Sequence, residues 1–288
     1  YLSRALVGCK SMTVGLVINP VMFSTPIHAE RISIIEKTAQ KSGYFIYIVG
    51  KPYQNEIEPI QGLLDRRVDG LIVYFATEPS KEIVDFLSKQ TIPIVYMDWA
   101  PSGCTRCVKI NRKMGICQIV EHLVQFGHRN VQYIPSAYDL EHPGGKLSHY
   151  QEAFASHGID LKVDSHLSIS CDEVIKREIP QIINQLIAEK KLPSALIMPN
   201  DYAAQTAIAS LQDAGVRVPE QISVVGFDNL NFADVVRPAL TTVRQPIERA
   251  SKAFELLESL MKDSEVGAEM LNLPCEMVVR QSTGPAPV

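Results

Sequence analysis

No apolar run in this sequence reaches the ~18 residues that a membrane-spanning helix needs. Basic charge is not in excess either. The 28 Lys and Arg are outweighed by 32 Asp and Glu, giving a net charge of −4, and no long stretch is basic. A broad nucleic-acid-binding face within these residues is thereby excluded. No N-x-S/T sequon occurs, and the opening residues YLSRALVGCKSMTVG lack the apolar core of a signal peptide. Cysteine is sparse: six residues, at 9, 104, 107, 117, 171 and 275, are scattered over 288. That is no disulfide framework, and it predicts a reducing, cytoplasmic compartment.

Catalytic and metal signatures are missing too. There is no G-x-G-x-x-G, G-x-S-x-G or H-E-x-x-H. Gly144-Gly145-Lys146 is not a phosphate loop, because Leu147 stands where Ser or Thr is required. Cys104 and Cys107 form a C-x-x-C, but zinc would need a second pair, and an oxidoreductase motif would open a helix where this one leads into the short strand 108–110. His122 and His128 are six residues apart, one in a helix and one past its glycine cap, and read as surface or capping histidines. No carboxylate pair can be placed as acid and base. The expectation is a protein without catalytic residues, metal or cofactor.

What is present is an alternation of strand and helix. Apolar residues make up 46% of the chain, enough for a substantial core. Strands are predicted at 12–18, 44–49, 70–74, 92–97, 131–134, 166–170, 195–198, 222–225, 240–243 and 276–279. Helical spacing occupies 26–42, 58–66, 80–89, 114–126, 150–157, a stretch running to about 190 with Pro180 near its first turn or at a kink, 202–214 and 247–261. Gly43, Gly127, Gly158 and Gly215 follow four of these as C-terminal caps, and Ser80 caps another at its N-terminus. The pattern runs twice at similar length without a low-complexity linker. It predicts an α/β protein of two parallel-sheet lobes with an intimate junction.

In open parallel sheets, ligands bind beyond the carboxyl ends of the strands. The residues there are Asn19 to Ser24, Tyr74-Phe75, Asp98-Trp99, Asn200-Asp201 and Asp228-Asn229. Aromatic faces pack on sugar CH surfaces or stack on bases, and carboxylates and amides accept from hydroxyls or amines. Singly, each Asp or Asn also fits a turn or a helix N-cap. Five such ends together are less easily explained by turns alone.

A series of motifs then becomes specific. Residues 3–17, SRALVGCKSMTVGLV, resemble the hinge segment and first strand of the lactose-repressor/galactose-repressor (LacI/GalR) transcriptional regulators. Gly127-His128-Arg129-Asn130-Val131 resembles their L-G-H-R-x-I step, and Asn200-Asp201-Tyr202-Ala203-Ala204 their N-D-x-x-A strand end. VPEQISVVGFDN at 218–229 is similar to V-P-x-D-I-S-V-V-G-F-D-D. PALTTVRQP at 238–246 and LPCEMVVRQST at 273–283 are similar to the closing motifs. The resemblance covers the whole chain in order.

It implies a type I periplasmic-binding-protein-like fold of two doubly wound lobes, used as a homodimer to which helices 55–66 and 80–89 contribute. Residues 1–11 would be the remnant of a hinge helix and linker, 12–110 with 245–276 the N-terminal lobe, and 111–244 with 277–288 the C-terminal lobe. A helix-turn-helix domain would precede Tyr1 and read operator DNA, with Arg4 and Leu6 in the hinge and Leu6 as the minor-groove wedge. Carried over residue by residue, the effector site would take Phe23, Tyr74, Asp98 and Trp99 from one lobe and Lys146, Asn200 and Asp228 from the other, in the cleft between them. The effector would be a sugar, a phosphosugar or a nucleobase-like molecule. Two departures bear on its identity. Lys146-Leu-Ser-His149-Tyr150 stands where the family has R-x-x-G-[FYW], so a point charge replaces a bidentate fork. Ile110-Asn111-Arg112 stands where the family has Asp-Asn. The alternative reading is a periplasmic solute-binding protein for sugar uptake; the hinge-like 3–11, the cysteines and the lack of a signal peptide speak against it.

Overall fold

The computed structural model describes residues 10–18, 26–50, 57–75, 79–141, 145–170, 175–262 and 270–287. Phe23, Arg4, Leu6 and the hinge segment 1–9 lie outside the described residues. The chain divides into two compact units, Tyr1–Ile110 with Pro246–Leu273 and Asn111–Gln245 with Pro274–Val288. It passes from one to the other after 110, 245 and 273.

The first unit is built on β1 (Thr13–Ile18), β2 (Phe45–Gly50), β3 (Gly70–Phe75), β4 (Ile94–Asp98) and β5 (Cys107–Asn111). They lie in the order β2-β1-β3-β4-β5, and every pair from β2 to β5 is parallel. A late strand, β11 (Leu271–Pro274), joins beside β5 and was not anticipated. Helices α1 (Pro26–Lys41), α2 (Glu58–Asp65), α3 (Lys81–Ser88) and α9 (Arg249–Lys262) cover the sheet.

The strands' two-residue period sorts their side chains into two cores. Val14, Leu16, Ile18, Ile72, Tyr74, Val95 and Met97 pack with Ile35 and Ala39 of α1 and with Ala253, Phe254 and Leu257 of α9. Val17, Leu71, Val73, Phe75, Ile94 and Tyr96 pack with Ile60 and Leu63 of α2 and Ile83 and Leu87 of α3. All six residues of β1 and of β3 are buried, as in a sheet covered on both faces. Each fully buried Leu, Ile or Val contributes about 1.5–3 kcal/mol.

The second unit repeats the scheme. β6 (Val131–Tyr133), β7 (Lys162–Val163), β8 (Ala195–Ile197) and β9 (Ser223–Val225) are parallel in the order β7-β6-β8-β9. In each unit the second strand thus lies outside the first, and the third on its other side. This reversal creates a topological switch point, between β1 and β3 in one unit and between β6 and β8 in the other. The helices are α4 (Arg112–Gln125), α5 (Ala137–Glu141), α6 (Lys146–Ala155), α7 (Ile175–Ala188) and α8 (Asp201–Asp213). A short antiparallel pair, β10 (Thr242–Arg244) with β12 (Glu276–Val278), completes the unit.

Gly43, Gly127, Gly158 and Gly215 have φ of 81°, 86°, 68° and 78°, the left-handed geometry that closes helices. Ser80 accepts from the Ile83 amide at the start of α3. The strand expected at 166–170 is corrected: β7 lies earlier, and Ser165–Leu167 is one 3₁₀ turn. Asp164 takes the His166 amide at 2.9 Å and diverts the backbone from a ladder into a turn. Pro180 sits inside α7, at its sixth residue.

Candidate functional site

In the second unit the residues following β8 and β9 are held in unusual backbone. Asp228 has φ 118° and Asn229 φ 53°, two successive non-glycine residues in the left-handed region. Three groups hold them there. The Asp228 backbone amide donates to the Val243 carbonyl at 2.9 Å, and the Gln245 side-chain Nε2 donates to Asp228 Oδ1 at 2.5 Å. Arg280 Nη2 donates to Asn229 Oδ1 at 2.7 Å.

Asn200 ends β8's extension and caps α8, its Oδ1 accepting from the Ala203 amide at 2.9 Å. The capping role considered for such residues is thus real at Asn200. Its neighbour Asp201 is fully buried and accepts from Thr242 Oγ1 at 2.5 Å and from the Leu230 amide at 2.7 Å. Burial, and after it the charge of Asp228, pushes the Asp201 carboxyl up to about 8. Gly226 has to be glycine here, because a Cβ would sit 2.3 Å from Asp201 Oδ1.

Lys146 opens α6 and ties this end of the unit together. Its Nζ donates to the Pro199 carbonyl at 2.6 Å and lies 5.4 Å from the centre of the Phe227 ring. It thereby touches the residues immediately before Asn200 and Asp228, so the structure brings these three expected site residues to one place. Behind Lys146, Asp139 accepts from Tyr133 at 2.8 Å and from the Ser136 hydroxyl at 2.6 Å. Burial works to raise the Asp139 pKa; the Lys146 charge and these hydrogen bonds outweigh it and leave the carboxyl below its ordinary value. The Tyr150 ring packs on Tyr133, with centroids 5.1 Å apart, and its buried hydroxyl has no hydrogen-bond partner.

In the first unit the expected residues divide between the two cores. Tyr74 is wholly buried on the α1/α9 face. Its hydroxyl accepts from Arg31 Nη1 at 2.7 Å and lies 2.5 Å from His28 Nδ1. A guanidinium only donates, and towards His28 the hydroxyl gives its proton or accepts a ring N–H according to the imidazole tautomer. Burial is the main cause that raises the Tyr74 pKa and keeps the hydroxyl proton in place. Asp98 has φ 71° and forms a buried ion pair with Arg249, whose guanidinium lies 5.8 Å from the Tyr74 ring centre. Trp99 turns to the other core, edge-on to Tyr96 at 6.0 Å, its amide donating to the Phe75 carbonyl. The structure therefore joins Tyr74 with Asp98 and sets Trp99 apart from both.

The sequence reading missed His28, Arg31, Gln245, Arg249 and Arg280, and it placed Asp201 at a strand end without seeing its burial. Two of these carried a signal. Arg31 lies on the α1 stripe Ile27-Arg31-Ile35-Ala39, and Arg249 precedes the α9 stripe Ala253-Leu257-Leu260. A charge on an apolar stripe needs a buried partner.

Among the described residues, no three His, Cys, Asp or Glu side chains are grouped to hold a metal ion, and no helix is long and apolar enough to cross a membrane. Residues 120–283 match the family of periplasmic binding protein-like domains. The chain is 30% identical to the HTH-type transcriptional repressor PurR of Aliivibrio fischeri, over 97% of this chain and 83% of that one. Its fold is that of a lac repressor dimer bound to operator and the anti-inducer ONPF, with a TM-score of 0.83 at 20% identity and 98% of each chain covered. It is also that of a LacI-family regulator from Enterococcus faecium with bound ribose, with a TM-score of 0.80 at 23% identity, covering 95% of this chain and 99% of that one. These relatives are regulators, neither enzymes nor transport proteins, and such repressors bind small-molecule effectors and operator DNA and act as dimers. The chain belongs to the lactose-repressor/galactose-repressor family, as the effector-sensing, periplasmic-binding-protein-like part of a transcriptional regulator.

Proposed function

We propose that the effector is a sugar or sugar derivative, and that Asp228 is its principal anchor. The observation that carries this is the backbone of Asp228 itself. A left-handed aspartate held by Val243 and Gln245 presents a fixed carboxylate, and the Lys146 ammonium lies against Pro199 and Phe227, the residues immediately before Asn200 and Asp228. A carboxylate accepts two hydroxyl donors at once, and the ammonium donates to hydroxyl or phosphate oxygens. The ribose held by the Enterococcus regulator supports the same class. Asp98, Trp99 and Tyr74 of the first unit, together with Phe23, are the further residues proposed to meet the effector. Binding shifts the regulator between operator-competent and incompetent states by its unequal affinity for the two. The hinge with Arg4 and Leu6 would meet the operator, in a homodimer in the cytoplasm.

A thermal-shift screen against sugars, phosphosugars, nucleosides and nucleobases tests this. A cognate sugar at about 100 times its Kd stabilises the protein by about 2.7 kcal/mol. Asp228→Ala should then weaken that ligand by about 1.5–3 kcal/mol in calorimetry. Stabilisation by a nucleobase alone, or undiminished affinity in the variant, would overturn the reading.

A further inference from the structure

The C-x-x-C pair has no part in the effector site, yet the fold places both thiols in one small region. Cys104 follows a turn closed by its amide on the Pro101 carbonyl at 3.1 Å, with Gly103 at φ 75°. The chain bends at Arg106, and Cys107 begins β5, opposite Tyr96. The bend folds the Cys107 thiol back to 3.4 Å from the Cys104 carbonyl oxygen. The Cys104 Cβ is two bonds from that carbonyl carbon, so the Cys107 thiol already lies against the residue that carries the other sulfur. Both residues pack in the same apolar cluster with Tyr96 and Trp99. They differ in exposure: Cys107 is fully buried and Cys104 partly exposed. Cys117 and Cys275, the other cysteines among the described residues, take no part in this cluster.

We propose that Cys104 and Cys107 are an oxidisable dithiol, a modification site that closes to a disulfide when the protein meets a hydroperoxide. The accessible Cys104 thiolate attacks one peroxide oxygen, the O–O bond breaks, and the other oxygen leaves as hydroxide or alkoxide. Cys104 is then a sulfenic acid. The Cys107 sulfur attacks the Cys104 sulfur, the S–S bond forms, the S–O bond breaks, and the Cys107 proton leaves with the hydroxyl as water. Two electrons pass from the thiols to the peroxide. The buried Cys107 resists oxidation on its own: desolvation, and then the neighbouring Cys104, raise its pKa. It is therefore placed to resolve the sulfenic acid and not to compete for the peroxide. A bond across two intervening residues, with one partly exposed sulfur, is of the labile kind that cellular thiols reduce again.

The experiment treats the 288-residue protein with hydrogen peroxide, unfolds it, alkylates it and maps its peptides. The peptide spanning Cys104 and Cys107 should lose two hydrogen atoms and take up no alkylating reagent, and dithiothreitol should restore both thiols. The partly exposed Cys104→Ser is the variant least disturbing to the core, and in it Cys107 should remain a thiol. Trp99 emission is the second readout: it should change with the bond in the parent and not in Cys104→Ser. Alkylation of both thiols after peroxide overturns the proposal. So does Cys104 recovered as sulfinic acid or joined to Cys9, Cys117, Cys171 or Cys275. An emission change of equal size in both proteins also overturns it.

Discussion

Asp98 and Arg249 form the most deeply buried ion pair described, with side chains 3% and 0% exposed. Two opposite charges ~4 Å apart attract by about 4 kcal/mol at an effective dielectric of about 20. Taking both from water costs several kcal/mol per ion, so the pair adds little net stability. Removing one partner is different, because the desolvation cost of the other remains; the expected loss is about 3–5 kcal/mol. Asp98→Ala also places a Cβ-bearing residue without a polar side chain at φ 71°, which adds about 1 kcal/mol. Asp98→Asn separates the two effects, since asparagine tolerates that backbone and loses only the charge. The assay is thermal unfolding followed by the emission of Trp99, the only tryptophan and the next residue along. At about 2–4 °C per kcal/mol, Asp98→Ala should lower Tm by roughly 8–24 °C, and Asp98→Asn by less. Combining Asp98→Asn with Arg249→Met should restore stability to within about 1 kcal/mol of the parent, because no charge is then left buried. A loss below about 1 kcal/mol for Asp98→Asn, or a double variant no better than the single one, would refute this account of the pair.

Further outcomes follow from the second unit. Tyr150→Phe removes a buried hydroxyl that has no partner, so it should be neutral or slightly stabilising in urea denaturation; a loss above about 1 kcal/mol would mean the hydroxyl is bonded. Asp201 titrates at about 8 when folded, against an ordinary 3.8, so the folded state holds its proton longer than the unfolded state. Its contribution to stability is therefore full below pH ~4 and is lost as pH rises toward ~8. Asp201→Asn should flatten that decline, and denaturation midpoints at pH 5 and pH 8 that keep the parent's spacing would contradict it. Gly226→Ala should destabilise by about 1–3 kcal/mol, since the Asp201 carboxylate and the Leu240 side chain must both give way; an unchanged midpoint would show that they yield freely.

Much of the fold was legible because its signals are local. Four glycines at helix ends adopt the backbone that only glycine takes easily, and β-branched runs between helical stripes became parallel strands. What escaped depends on distant residues. Leu271–Pro274 alternates weakly and is a strand because β5 offers it an edge. The turn at Ser165–Leu167 follows from one aspartate side chain outbidding a ladder. At the site, the polar residues at strand ends were visible, but their roles were not. Asn200 carries a cap, Asp98 an ion pair whose partner lies 151 residues away, and Tyr74 a hydroxyl shared by two helix side chains. Spacing says where a side chain starts; only the folded chain says what it meets.

The order in which the chain visits its units has a consequence for its synthesis. Phe254 and Leu257 of α9 fill the core under β1, β3 and β4, and β11 lines the far edge of the same sheet. These pieces are made only after the whole of 111–245. Residues 274–287 likewise complete the second unit, where the Ser282 hydroxyl donates to the Val224 carbonyl and accepts from the Thr241 amide. A growing chain therefore carries an unfinished first core until about residue 273 has been made and an unfinished second core until Ser282 has followed, so neither unit can be closed early by vectorial folding. Premature termination near residue 245 would yield no stable half, but a chain exposing apolar surface from both units, fit for degradation rather than for partial function.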